Sequence, residues 1–426
     1  MENLLPSQDE ETIPTPAVQV VILDGAAIVN MCQPGYSKTF SEYATEVLLP
    51  HVKNQLHHSS RVDVVWDEYL PDSLKAETRS KRGKGVRRRV EPSTAIPKNW
   101  QEFLRIDDNK VELFSFLATS VVAIDTEKQI ISTHHRDVLC KQTRDVSGLA
   151  PCTHEEADTR MFVHLEDAVR QGFTKALIRT VDTDVVVLAV TAAQRLKTSL
   201  SELWVAFGVG KYFRYLPAHE IARKLGPERC IALPMFHAVT GCDTVSYFNG
   251  RGKMTAWNTW QAYDGVTPAL CALASTPTHE SAEELLGPLE RFVVLLYDRT
   301  STQEEVNQAR KELFTQKGRH MEGIPPTRAA LLEHIKRAAF QAGHVWGQST
   351  LPSPDLPSPS EWGWKRSTTG TWETCWTALP QATQACRELL RCGCKKEKGC
   401  RGQCKCRRAS LQCTDFCKCL GLCSDE

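Results

Sequence analysis

The sequence predicts an α/β fold with a mostly parallel sheet, followed by a helical region and a small metal-clustered module. Three observations predict it. Short apolar runs alternate with helical patterns, the rhythm of strand–helix–strand units. Acidic residues recur where the apolar runs stop, the edge at which open α/β sheets bind their ligands. Nine of the 17 cysteines crowd between Cys392 and Cys423.

The 426 residues allow two or three domains, and a 41% hydrophobic fraction suits a globular chain. The formal net charge is only +1, so no overall field steers the chain to nucleic acid; local charge matters more. No apolar run reaches the length of a bilayer span, and no membrane partner is expected. The opening residues, MENLLPSQDEETIPTPAVQ, are acidic and contain proline, unlike a basic-then-apolar signal peptide, and predict a soluble intracellular protein.

Residues 1–17 read as a flexible lead. AVQVVILDG is a buried strand ending in Asp24. A helix runs roughly from Phe40 to His57, and RVDVVWDEY is a second strand with Asp67 at its end. RSKRGKGVRRR, Arg79 to Arg89, holds seven basic residues in eleven; it reads as a phosphate-contacting loop, a solvated loop or a nuclear import signal. WQEFLRIDDNKVELFSFLATSVV is helical, and QIISTHHRDVLC is a hairpin or short strand. In THEEADTR, Thr153 and Glu156 have capping-box spacing, and the amphipathic helix MFVHLEDAVRQGF follows. KALIRT is a strand leading into Asp182-Thr183-Asp184 and an apolar run. LWVAFGVGKYFRYLP is a hairpin, HEIARKLG a helix stopped by glycine, and PERCIALPMFHAVTGCDT a helical run ending at Asp243. Residues 263–348 read as a helical extension and 349–385 as a linker rich in Pro, Ser and Trp.

Each acid has a structural explanation when taken alone. Asp24-Gly25 makes a turn; Asp182 and Asp243 cap helices. Taken together, five segments deliver Asp24, Asp67, Glu156/Asp158, Asp182/Asp184 and Asp243 to one sheet edge. Like charges raise each other's pKa, so such a cluster is costly unless a cation holds it. Hard divalent ions do so with oxygen ligands. Two of them activate a water and stabilise the leaving oxygen of a phosphodiester.

The order and context of these acids resemble the flap-endonuclease branch of the PIN-like nuclease superfamily, over roughly residues 18 to 260. The family's acid after the first strand matches Asp24 in ILDG, and the next matches Asp67 in VVWDEY. Its acidic pair opening a helix matches Glu156 and Asp158; its Asp-x-Asp matches Asp182 and Asp184; its Gly-Cys-Asp matches Asp243. The resemblance implies a three-layer α/β/α domain over residues 18–262, with two Mg²⁺ or Mn²⁺ ions on those seven acids. It implies that Lys75 and Arg82 hold the scissile phosphate. It implies, too, that NGRGKMTAW grips a DNA backbone, Gly250 and Gly252 admitting phosphate to backbone N–H groups with Lys253 beside them. Asp158 departs from the family, standing one methylene short where Glu is usual. Positions i and i+2 of a regular helix do not share a face, so Glu156 and Asp158 serve different ions, or Glu155 pairs with Asp158 instead.

The terminal cysteines follow C-x-C-x5-C-x3-C-x-C-x6-C-x3-C-x-C-x3-C: Cys392, Cys394, Cys400, Cys404, Cys406, Cys413, Cys417, Cys419 and Cys423. An odd number argues against a closed disulfide set. Nine thiolates serve three tetrahedral zinc ions if three sulfurs bridge. The segment, residues 386–426, resembles the CXC (tesmin-type, cysteine-rich) zinc domain, which implies three Zn²⁺ and DNA binding. Lys395, Lys396, Arg401, Lys405, Arg407 and Arg408 lie between the ligands as a cationic face for phosphate.

The reading that results is a nuclear, metal-dependent, structure-specific nuclease acting on DNA, with RNA still open as a substrate, tethered by a zinc module. Its rival is a catalytically inactive DNA-binding or chromatin protein that keeps the fold as a scaffold. The pairing of the two modules also suggests descent from a mobile element.

Overall fold

The computed structural model describes residues 15–70, 72–75, 79, 85–275, 277–315, 323–377, 392–394, 404–408, 413 and 417–419. Arg82, Lys395, Lys396, Cys400, Arg401 and Cys423 lie outside the described residues, as do the side chains of Lys405 and Arg408. The chain forms two compact units, Met1–Trp376 and Thr377–Glu426.

The first unit is built on a seven-stranded sheet of order β4-β3-β2-β1-β5-β6-β7. The central strands are β1 (Val20–Asp24), β2 (Arg61–Val65), β3 (Gln129–His134), β5 (Lys175–Thr180) and β6 (Glu202–Phe207). They pair in parallel. Each edge is closed by an antiparallel strand, β4 (Asp137–Cys140) on β3 and β7 (Arg214–Pro217) on β6. Side chains alternate along a strand, so β1 sends Val20 and Ile22 into one core and Val21 and Leu23 into another. Helices Ala157–Arg170, Thr183–Arg195 and Pro227–Val239 close the first core. Helices Leu49–His58 and Asp107–Val122 close the second. That is the three-layer α/β/α arrangement the alternating pattern predicts.

The chain leaves β1 toward β2 and β3 on one side and toward β5 and β6 on the other, so the order of winding reverses there. In open α/β sheets the ligand crevice lies at such a switch point, beyond the strands' carboxyl ends. Asp24 aligns with Val65, which puts the ends of β1 and β2 level. Gly25 follows because the Trp66 ring fills the space where a Cβ would stand, 2.1 Å from its nearest atom.

Several boundaries differ from the pattern-based expectation. The stretch Trp100–Val122 is two helices, Trp100–Leu104 and Asp107–Val122. The apolar helix Pro227–Val239 stops short of Asp243, which lies beyond a turn at Gly241. Thr153 does not cap the following helix. That helix starts at Ala157 with Glu156 at its N-cap, and the Ala157 N–H is taken by Asp67 Oδ1 at 2.9 Å. The Pro/Ser stretch is folded onto this unit: Trp362 and Trp364 are buried in the first core, and Trp364–Arg366 pairs with Trp372–Thr374 as a small hairpin.

A buried ionic group ties β2 to the helix Ala157–Arg170. Arg61 donates to Asp63 (2.8 and 2.6 Å) and to Asp167 (2.6 Å), Arg144 reaches Asp167 (2.8 Å), and His164 Nδ1 lies 2.7 Å from Asp63. Despite its burial, Asp63 is held down at about 2 by Arg61 and His164. Removing one partner strands the others away from water. Arg61→Met should therefore cost about 3–5 kcal/mol in urea unfolding. A loss under about 1 kcal/mol would show the group to be dispensable to the fold.

Candidate functional site

The carboxyl ends of β1, β2 and β5 and the starts of two helices bring the acids together. Asp24 ends β1 and caps the helix Gly25–Met31, its Oδ1 accepting from the Ala27 N–H at 2.9 Å. Its Oδ2 accepts from the Thr180 hydroxyl at the end of β5, 3.1 Å away. Asp67 lies two residues past β2 and accepts from the Ala157 N–H and the Tyr69 hydroxyl (3.0 Å). Asp182 caps the helix Thr183–Arg195 by accepting from the Asp184 N–H at 2.7 Å. Structural capping and a place in the cluster thus coincide in Asp24 and Asp182.

Lys75 sits among these acids. Its Nζ donates to Glu156 Oε2 (2.6 Å) and to Asp243 Oδ2 (3.2 Å), joining segments 87 residues apart in sequence. Its ammonium is held more firmly protonated by Glu156, Asp158 and Asp243 than its withdrawal from water opposes. Glu155 is engaged elsewhere, by Arg79, which also holds Asp107 at 3.0 Å. Glu156 has extended backbone (φ −112°, ψ 145°) and Asp158 is helical, so the rule that i and i+2 diverge on a helix does not separate them.

The electrostatics join the group into one network. Loss of water, then the charges of Asp67 and Asp182, push Asp24 up to about 7. Burial pushes Glu156 up to about 7 against the pull of Lys75. Asp158 is raised well above the usual carboxylate range by burial, then by Asp182, Glu156 and Asp24. Asp182 is raised by burial, then by Asp184, with Asp243 adding to it. Carboxylates held this way suit divalent cations, which supply the missing positive charge. No three of these acids bring their oxygens within 4.8 Å of one another among the described residues. Lys75 is the cation that links two of them, Glu156 and Asp243.

Two residues behave in ways the sequence did not reveal. His237, inside the apolar helix Pro227–Val239, places Nε2 2.8 Å from Asp184 Oδ1 and fixes that carboxylate. The signal was one histidine in an otherwise apolar helical run. Lys253 opens the helix Lys253–Ala262, but its ammonium is engaged within the protein. It donates to His237 O (2.8 Å), Thr240 Oγ1 (3.2 Å) and Gly241 O (2.6 Å), closing the end of the preceding helix. Gly250 has φ +67°, which favours glycine. At Gly252 a Cβ would meet nothing within 4 Å, so the fold itself does not demand glycine there. Of the basic run, Arg79 and Arg87 are tied to acids of the same unit, Arg87 to Glu112.

In the second unit, two quartets of sulfurs each lie within 4.8 Å of one another: Cys392, Cys404, Cys406, Cys413, and Cys392, Cys413, Cys417, Cys419. Neighbouring sulfurs are 3.5–3.9 Å apart, far beyond a disulfide bond. A tetrahedral zinc with Zn–S near 2.3 Å sets its sulfurs about 3.8 Å apart, so the quartets fit the ion. Cys392 and Cys413 belong to both, the arrangement that bridging thiolates require. Cys394 packs against this cluster, and Arg407 is exposed beside it.

No protein-family model matches the chain. No curated protein matches it either. Among solved structures it is similar to the D15 flap endonuclease of bacteriophage T5 in a pseudo-enzyme–product complex with DNA and metal ions. The identity is 11% and the TM-score 0.35, over 69% of this chain and 97% of that one. It is similar also to T5 D15 co-crystallised with metal ions, at 11% identity and TM-score 0.34, over 66% and 91%. Similarity that loose lends no weight to any role for this chain.

Proposed function

We propose that the chain is a metal-dependent nuclease of PIN-like, flap-endonuclease type that hydrolyses phosphodiester bonds in DNA. The observation that carries this reading is the electrostatic coupling among Asp24, Asp67, Glu156, Asp158, Asp182, Asp184 and Asp243, with Lys75 bonded to Glu156 and Asp243, at the switch point of a parallel sheet. Mg²⁺ or Mn²⁺ bound there would supply an activated water and charge stabilisation for the leaving oxygen. The chain's own residues do the rest. Asp24 and Asp67 are each fixed at both oxygens by backbone and hydroxyl donors. His237 orients Asp184. Lys75 is the group to hold the scissile phosphate, its ammonium giving up Glu156 and Asp243 for phosphate oxygens; bound metal would supply the positive charge those acids then lack. Gly250 and Gly252 leave an approach open to a DNA backbone.

The second unit, on this reading, is a CXC zinc module that tethers the enzyme to DNA in the nucleus. Its contribution is affinity that falls with salt rather than chemistry. The test is cleavage of labelled single-stranded, duplex and 5′-flap DNA with Mg²⁺ or Mn²⁺, beside Asp182→Ala/Asp184→Ala. Metal-dependent cutting that drops at least about a thousand-fold in the double variant is the expected result. Tight binding with no cleavage of any substrate by the wild type would leave a DNA-binding scaffold instead.

A further inference from the structure

Asp67 is held differently from its neighbours. Asp24 and Asp182 accept from backbone N–H groups of the helices they cap. Asp67 lies past the end of β2, outside any helix or strand. Its Oδ1 takes the Ala157 N–H at 2.9 Å, and its Oδ2 takes the Tyr69 hydroxyl at 3.0 Å. Beyond the effect of burial, Asp67 is the charge that most raises Asp24, and it acts on Glu156 as well. Where this carboxylate points therefore matters to acids on two other segments.

The Tyr69 ring is itself gripped. Lys110 Nζ stands 3.8 Å from its centroid and the Arg79 guanidinium 5.5 Å. Phe114 lies against it with centroids 6.3 Å apart, and stacks in turn on Trp66 at 4.8 Å. Asp107 ties down both cations, Lys110 at 2.9 Å and Arg79 at 3.0 Å. Arg79 also pairs with Glu155 and donates to Leu70 O at 2.7 Å. The helix Asp107–Val122, the approach to the helix Ala157–Arg170 and the chain beyond β2 thus meet around one phenol ring.

Packing alone does not call for tyrosine here. Phenylalanine would fill the same space and offer its face to the same cations. What the hydroxyl adds is the bond to Asp67. We propose that Tyr69 is a positioning residue of the metal centre: its hydroxyl, with the ring braced by Lys110 and Arg79, holds the Asp67 carboxylate in the orientation that meets the ion. The inference rests on the nuclease reading for the presence of that ion. An ionised carboxylate has about four acceptor positions on its two oxygens, so the two donors leave room for a metal. Carboxylate ligands are oriented by such outer hydrogen bonds, and losing one weakens metal binding about 10–100-fold.

The test is Mn²⁺ binding by the zinc-saturated full-length protein, with free Mn²⁺ read by electron paramagnetic resonance. Binding that disappears in Asp182→Ala/Asp184→Ala is assigned to the acidic edge. Tyr69→Phe keeps the ring among its cations and removes only the hydroxyl. Its Mn²⁺ dissociation constant at that edge should rise at least about tenfold. Its melting temperature without divalent ions should stay within about 3 °C of the wild type's, because one net hydrogen bond is worth little to the fold. Wild-type Mn²⁺ affinity in Tyr69→Phe overturns the inference. So does a weaker affinity that comes with a larger fall in melting temperature, which would mark a packing role. A wild type that binds no more Mn²⁺ than Asp182→Ala/Asp184→Ala removes the metal centre and this inference together. A protein that cuts DNA but whose Tyr69→Phe variant binds Mn²⁺ normally sinks this inference alone. One whose Tyr69→Phe variant loses Mn²⁺ as expected, yet which never cuts, sinks the nuclease reading alone.

Discussion

Asp24→Asn should make the protein more stable above neutral pH and a far slower cutter of DNA. The carboxyl of Asp24 is raised from 3.8 to about 7, chiefly by burial and then by Asp67. A raised acid pKa means that the folded state holds the proton more tightly than the unfolded chain. Its contribution to stability is full below about pH 4 and is lost as pH rises through about 7. By pH 8 that loss is on the order of 4 kcal/mol. Asparagine keeps an oxygen for the Ala27 N–H and carries no charge, so the variant escapes the loss. Its melting temperature without added Mg²⁺ or Mn²⁺ should exceed the wild type's at pH 8 and approach it near pH 4. Adding the divalent ion should stabilise the wild type at pH 8 and the variant far less. Cleavage should fall roughly a thousand-fold. A variant that melts lower than the wild type at pH 8, or that cuts at the wild-type rate, would mean Asp24 serves the fold through its cap alone. Stability given up at a site that needs a cation is the expected mark of function rather than packing.

The placement of these acids was legible because it depends on local pattern. An apolar run such as VVILD has to be a buried strand, and the residue that ends it has to stand at the sheet's carboxyl edge. Asp182 was legible for the same reason, since it stands between the strand Lys175–Thr180 and an apolar helix. The THEEADTR cap was misread because its competitor is distant in sequence. Asp67, 90 positions earlier, takes the N–H at the helix start, while the Thr153 backbone turns to Pro352. No local spacing reports such partners. The Pro/Ser stretch misled through composition: LPSPDLPSPS lacks periodicity, but Trp362 and Trp364 just beyond it bury in the core and hold it down. The contact of His237 with Asp184 and the inward turn of Lys253 arise from tertiary packing around one helix. The family resemblance implied a lysine beside a phosphate; hydrogen-bonded as it is to His237 O and Gly241 O, its ammonium is engaged within the protein.

Cys413→Ser should cost the terminal unit more than any single-quartet change, because Cys413 belongs to both sulfur quartets and Cys404 to only one. Full-length wild type is expected to bind three zinc ions per chain, measured by metal release to a colorimetric chelator after thiol modification. Cys404→Ser should lose about one ion and Cys413→Ser two or more. The folding consequence follows the metal. The described core of this unit is made of cysteines, so little apolar burial remains to hold it once the ions leave. Structural zinc binding supplies on the order of 10 kcal/mol of folding energy in small modules. Stripping zinc should therefore unfold Thr377–Glu426 while the sheet of the first unit persists in far-UV circular dichroism. DNA affinity should drop, and its salt dependence should flatten as the basic residues between the ligands lose their arrangement. Cobalt in place of zinc should give the absorption of tetrahedral thiolate sites in the wild type and a much weaker band in Cys413→Ser. One ion per chain at saturation, or equal metal content in the two variants, would rule out shared sulfurs. The terminal segment would then be a simple four-ligand site with surplus cysteines.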